Sequence, residues 1–122
     1  MKEIRRLPDA ELEIMQALWA CPSPASRADV EARLPRPLAV TTQLTVLTRL
    51  EEKGFLRVEK QGRRSYYTPL IAQKDYLAAQ SRSFVQKVCG GSLPAFAAAL
   101  CDSGLTREEL DQLRDLLERD AL

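Results

Sequence analysis

Breakers cut the first 69 residues into pieces too short for anything but small elements. Pro8, Pro22, Pro24, Pro35, Pro37 and Pro69 interrupt them, and Gly54 and Gly62 fall between the later runs. Proline removes a backbone donor and clashes with the preceding turn, so no regular helix runs through these positions. Three helix-length segments remain, followed by two strand-length ones. Residues 8–21 set Leu12, Met15, Leu18 and Trp19 on one face, with Pro8 at the start, acids in the first turn, and Pro22 and Pro24 past the end. Ser26 suits the N-cap of a second short helix over 27–34, which Pro35 ends. A third helix spans 40–53, and Gly54 suits the left-handed position that closes it. Residues 55–60 and 65–69 are rich in β-formers, with Gly62 in the turn between them.

The third helix has two unlike faces. At about 100° per residue, Val40, Leu44, Val46, Leu47 and Leu50 fill one broad arc. Thr41, Thr42, Thr45, Thr48, Arg49 and Glu52 fill the opposite one, and Gln43 falls inside the apolar arc. So many β-branched residues lower helix propensity, so packing has to hold this helix. For Gln43 two readings stand, a partly buried or capping role and a base-reading role, the first favoured.

Helix, helix, helix and hairpin is the order of a winged helix-turn-helix. Its third helix enters the major groove, backed by apolar residues and fronted by short polar side chains and a cation. Thr41, Thr42, Thr45, Thr48 and Arg49 are the candidate contacts there. Arg63 and Arg64 stand at the hairpin tip, where a wing meets the DNA backbone and neutralises phosphate. The plainer reading, a charge pair that protects a sheet edge and aids solubility, stays beside it. Tyr66 and Tyr67 point to opposite faces of their strand, and one is expected to pack on the core.

The rest is helical and apolar. A segment over 71–89 ends at Gly90-Gly91, a second covers 93–100, and the last starts at Thr106, with Glu109 placed for a capping box and Leu105 and Leu110 for a staple. Leu77, Phe84, Val88, Phe96, Leu100, Leu110, Leu113 and Leu117 need a partner surface that so short a segment does not supply. Intertwining with a second copy supplies it and presents two recognition helices to a palindromic site. The expected fold is therefore mainly α with a small β-hairpin wing, divided into a winged-helix DNA-binding domain, 1–70, and a helical dimerisation region, 71–122. The partners are double-stranded operator DNA and a second copy of the chain.

Composition narrows the alternatives. The chain has no histidine, and its three cysteines, Cys21, Cys89 and Cys101, lack metal-knuckle spacing. No Gly-rich phosphate loop occurs, so no enzyme, cofactor or metal is expected. The net charge is +1, yet residues 1–69 carry 12 Lys+Arg against 9 Asp+Glu, whereas residues 70–122 carry 6 against 8. A weakly basic front half fits nucleic acid without requiring it. The N-terminus lacks the apolar stretch of a signal peptide, and no apolar run reaches the about 18 residues of a membrane span, so a cytoplasmic protein without membrane insertion is expected. Two rivals remain: a winged helix used only for protein contact, and a redox- or metal-responsive regulator built on Cys89 and Cys101.

LPDAELEIMQALW, TTQLTVLTRLEEKGFL, GRRSYYTPL, VCGGSLPAFAAAL and LTREELDQLRDLLE stand in the order and spacing of one family. Over residues 7–119 the chain resembles the penicillinase repressor family (BlaI/MecI/CopY). The resemblance implies a dimeric transcriptional repressor on dyad operators of resistance or metal-handling genes. It implies, in the antibiotic-responsive branch, a membrane sensor-protease system that cleaves the dimerisation region. The matching bond is Ala99-Leu100, where relatives resemble Asn-Phe. Relatives resemble Val at the position of Gln43. The copper-responsive branch resembles a chain ending in paired CxC motifs, and here no cysteine follows Cys101.

Overall fold

The computed structural model describes residues 4–120 and divides the chain into two compact units, Met1–Gln80 and Ser81–Leu122. In the first unit the elements run α1 (Asp9–Trp19), β1 (Ala25–Ser26), α2 (Arg27–Glu31), α3 (Val40–Glu52), β2 (Leu56–Gln61) and β3 (Arg64–Pro69). The three strands form an antiparallel sheet in the order β1-β3-β2.

Local chemistry sets most of the boundaries. Pro8 occupies the N-cap of α1 without a side-chain cap, and Asp9 and Glu11 lie in the first turn, where negative charge is favoured. A capping box starts α2: the Asp29 amide donates to Ser26 Oγ at 3.2 Å, and the Ser26 amide donates to Asp29 Oδ2 at 3.0 Å. This helix stops at Glu31, short of the expected residue 34. The Arg33 amide donates to the Val30 carbonyl and the Leu34 amide to that of Glu31, which tightens the end into turns ahead of Pro35. At the end of α3, Gly54 adopts φ 82°, the Phe55 amide donates to the Leu50 carbonyl and the Gly54 amide to that of Glu51. That is a Schellman closure, and it delivers Phe55 directly into the core.

The core of this unit combines Leu7, Ile14, Met15 and Leu18 with Val30, Leu47, Leu50, Phe55 and Leu56. Tyr67 is the tyrosine of the pair that is buried, and Tyr66 is half-buried. One part of the expected apolar arc of α3 is not in the core: Val40 and Leu44 are each 45% exposed. The buried stripe is narrower, being Gln43, Val46, Leu47 and Leu50. The strand β1 has no sequence signal, because two residues carry no periodicity; pairing with Tyr67 and Tyr66 creates it.

The sequence reading divides the chain at 70/71, whereas the compact units divide at 80/81. Tyr76, on α4 (Gln73–Lys87), is the reason. It is buried, its hydroxyl accepts from the Leu7 amide at 2.9 Å, and its ring lies 5.7 Å from Trp19 and 5.9 Å from Phe55. The Trp19 indole donates to the Ile71 carbonyl at 2.9 Å, so this stretch is tied twice to the first unit. Tyr76→Phe leaves the buried Leu7 amide without its acceptor. It is expected to lower stability by about 1–3 kcal/mol, read in urea unfolding followed by Trp19 fluorescence.

The second unit takes up the latter part of α4, followed by α5 (Leu93–Asp102) and α6 (Arg107–Asp120). Ser92 caps α5 by accepting from the Ala95 amide at 3.1 Å. Thr106 and Glu109 form the expected capping box of α6, at 2.9 and 3.1 Å. Phe84 and Phe96 meet edge to face at 5.9 Å. Yet none of the described residues of this unit is fully buried.

Candidate nucleic-acid interface

The five residues of α3 expected to contact DNA lie on its exposed side. Thr41, Thr42, Thr45, Thr48 and Arg49 are all exposed. Their hydroxyls are not equivalent. Thr45 Oγ1 donates to the Thr41 carbonyl and Thr48 Oγ1 to the Leu44 carbonyl, both at 2.9 Å. These two threonines therefore present lone pairs and methyl groups outward. Thr41 and Thr42 make no side-chain hydrogen bond among the described residues, so their hydroxyls can donate to phosphate or base oxygens. Among these four threonines, the hydroxyls left free to donate thus lie in the first turn of the helix.

That turn is held from behind by Gln43, which has 0% exposure. Its Oε1 accepts from Arg27 Nη1 at 2.8 Å, and its Nε2 donates to Glu31 Oε2 and to the Leu38 carbonyl, both at 2.8 Å. Arg27 also pairs with Glu31 at 3.3 Å. Both ends of the Gln43 amide are used inside the fold, which removes the base-reading role. The Gln43 hydrogen bond, aided by Arg27, holds the Glu31 carboxyl below its ordinary value of 4.5. Because α3 has Ala39 at its N-cap and no side-chain cap, Gln43 also supplies an anchor that the capping position lacks. At the far end, Lys53 Nζ forms an ion pair with the buried carboxylate of Glu11, fixing α3 to α1.

Arg63 and Arg64 are exposed at the tip and first strand position of the wing, beside Gly62 at φ 66°. Neither has an ion-pair partner among the described residues, in contrast to Arg57, which pairs with Glu59 at 2.8 Å. A groove of about 380 Å³ lies where β1, the start of α2 and strand β3 of the wing meet Leu44 of α3, lined by Ser26, Arg27, Ala28, Leu44, Arg64, Ser65 and Tyr67. Leu44 and the groove were not apparent from the helical pattern, which assigns Leu44 to the core.

The remaining candidates lie elsewhere. Leu77, Phe84, Val88 and Leu117 are exposed, whereas Phe96, Leu100, Leu110 and Leu113 are half-buried. Ala99 and Leu100 sit inside α5 in helical conformation. Cys21, Cys89 and Cys101 are free thiols. No helix of the described residues is long and apolar enough to cross a membrane.

The sequence profile of the penicillinase repressor family matches residues 7–119. The chain belongs to the penicillinase repressor family. It is 33% identical over 120 residues to the penicillinase repressor of Bacillus licheniformis, covering 97% of this chain and 94% of that one. It is 25% identical over 115 residues to the methicillin resistance regulatory protein MecI of Staphylococcus aureus (strain N315), covering 93% and 94%. Among solved structures, it resembles the Bacillus licheniformis BlaI monomeric form in complex with the blaP half-operator. The TM-score there is 0.51 at 38% identity, over 62% of this chain and 94% of that chain. The DNA-binding domain of the repressor BlaI gives a TM-score of 0.53 at the same identity and coverage. In this family member, α3 and the hairpin β2–β3 occupy the third-helix and wing positions of the winged-helix fold.

Proposed function

We propose that this chain, a DNA-binding transcriptional repressor and not an enzyme, grips a dyad operator as a homodimer. One observation carries the contact surface: α3 turns an unburied front of threonines and Arg49 outward from a fully buried back, beside two wing arginines without ion-pair partners. Thr41 and Thr42 donate into the major groove, Thr45 and Thr48 offer methyl groups, and Arg49, Arg63 and Arg64 neutralise phosphates. The apolar side chains left exposed on α4 and α6 support pairing with a second copy. Access to an operator places the protein in the cytoplasm.

Release follows from loss of the dimer, since two half-sites bound by one dimer gain effective concentration. Cleavage at Ala99-Leu100 by a membrane sensor-protease system is one route. Both residues are helical within α5, so the helix has to open locally before a protease can bind the chain in extended form.

The test is fluorescence anisotropy with duplex DNA from upstream of the gene, at several salt concentrations, with the double variant Arg63→Ala/Arg64→Ala alongside. The wild type is expected to bind tightly and salt-sensitively. The double variant is expected to lower the salt slope by about two, close to one unit per lost phosphate contact. A variant that binds like the wild type would return both arginines to solubilising charges. No binding above that to unrelated DNA, at this and other promoters, would favour the protein-contact rival.

A further inference from the structure

The outer surface of α3 holds two apolar side chains that the contacts above leave unused. Val40 and Leu44 are each 45% exposed and lie one helical turn apart, so they are neighbours on one ridge. Thr48 continues that ridge a turn later, and Thr41 is the other neighbour of Leu44 one turn back. Leu44 therefore stands among the exposed threonines and outside the buried stripe of Gln43, Val46, Leu47 and Leu50. An exposed leucine by itself carries little meaning. Its neighbours give this one a meaning. The Thr45 hydroxyl proton is committed to the Thr41 carbonyl and the Thr48 proton to the carbonyl of Leu44 itself, both at 2.9 Å. The exposed side chains from Leu44 to Thr48 thus offer methyl groups and oxygen lone pairs, and no free hydrogen-bond donor. Arg49 is no substitute, because it projects about 140° round the helix from Leu44.

We infer that Leu44 is a specificity-determining residue that packs on the C5-methyl group of a thymine in the major groove. The inference rests on the repressor reading above and names the base that the middle of α3 selects. The four bases offer unlike edges to such a surface. Guanine presents two acceptors, which need donors that this stretch lacks. Cytosine presents an amino donor and no methyl group. An A·T pair presents the thymine methyl together with the adenine amino group. The methyl suits Leu44, and the amino group suits a threonine lone pair whose proton is already committed. Burying one methyl-sized group against leucine is worth about fourfold in affinity at each half-site. Val40 extends the same apolar ridge toward the start of the helix.

The experiment compares the upstream duplex made with thymine and the same duplex made with deoxyuridine throughout. The exchange removes every C5-methyl group and keeps the phosphates and the base pairing. Anisotropy on the full-length wild type, Leu44→Ala and Leu44→Met is read at several salt concentrations. Leu44 is half exposed, so neither substitution is expected to move the melting temperature. The wild type should bind the deoxyuridine duplex about fourfold more weakly per half-site, with an unchanged salt slope because no phosphate contact is lost. Leu44→Ala should weaken binding to the thymine duplex by a similar factor and bind the two duplexes more nearly alike. Leu44→Met, which keeps an apolar side chain of similar size, should retain most of the discrimination. Equal wild-type affinity for the two duplexes, with normal salt-sensitive binding, would overturn the inference and leave the repressor reading intact. An undiminished thymine preference in Leu44→Ala would also overturn it, assigning methyl recognition to the threonines. Wild type that binds no promoter duplex above unrelated DNA would overturn the repressor reading, and the inference with it.

Discussion

On the proposed homodimer, replacing Val88 and Leu117 by glutamate is expected to leave monomers and to lower affinity for a dyad duplex by roughly two to four orders of magnitude. Val88 is 68% exposed and Leu117 60% exposed, so neither contributes much to the internal packing of its own unit. The unit should therefore keep its helices, which circular dichroism checks. In a dimer the same side chains are the natural buried anchors. Each is worth about 1.5–3 kcal/mol when removed from water, and a carboxylate put in its place costs more than that gain. Sedimentation equilibrium reads the association, and anisotropy on dyad and half-site duplexes reads the consequence. Affinity for the half-site should barely change, because the α3 front and the wing lie in the first unit. A double variant that stays dimeric would move the interface to other exposed positions, such as Leu93 and Leu116.

Gln43→Leu should destabilise the first unit by about 2–3 kcal/mol, although it exchanges a polar residue for an apolar one of similar size at a fully buried site. The usual gain from burying apolar surface is absent, because the partners remain. The Leu38 carbonyl loses its donor, and Arg27 and Glu31 lose the amide that joins them. Satisfied buried networks stabilise, and partly broken ones cost more than the single bond removed. Urea unfolding followed by Trp19, the one tryptophan, measures it. The wild type also carries an acid signature. A carboxyl whose folded pKa is lowered adds stability that is present above its unfolded value and is lost as pH falls through the folded value. Glu31 should therefore make stability fall as the pH drops below about its ordinary 4.5, and the variant should lose most of that dependence. Equal unfolding midpoints for the two proteins would reduce Gln43 to a filler. Because the network anchors the first turn of α3, operator binding should weaken in the variant even where it remains folded.

Much of this repressor was legible in the chain itself, wherever the interacting groups are near neighbours. The capping pairs Ser26 with Asp29 and Thr106 with Glu109 join residues three apart, and Gly54 and Gly62 mark backbone turns with positive φ. Such pieces can be read in a window of a few residues, and so could the helix order, the hairpin and the polar front of α3. The family was legible for the same reason, since its motifs are local strings in a fixed order.

Tertiary structure alone decided what depends on which surface arrives from elsewhere. The Leu7–Tyr76 bond spans 69 positions and the Lys53–Glu11 bond 42, so neither leaves a local trace. Periodicity placed Val40 and Leu44 in the core, yet α1 covers a narrower stripe, and Leu44 instead forms one wall of the groove beside the wing. Gln43 read as an anomaly until Arg27, Glu31 and the Leu38 carbonyl were placed around it. Caps and turns close over a few bonds of chain, so sequence determines them. Burial and facing require distant segments to meet, and only the assembled core determines those.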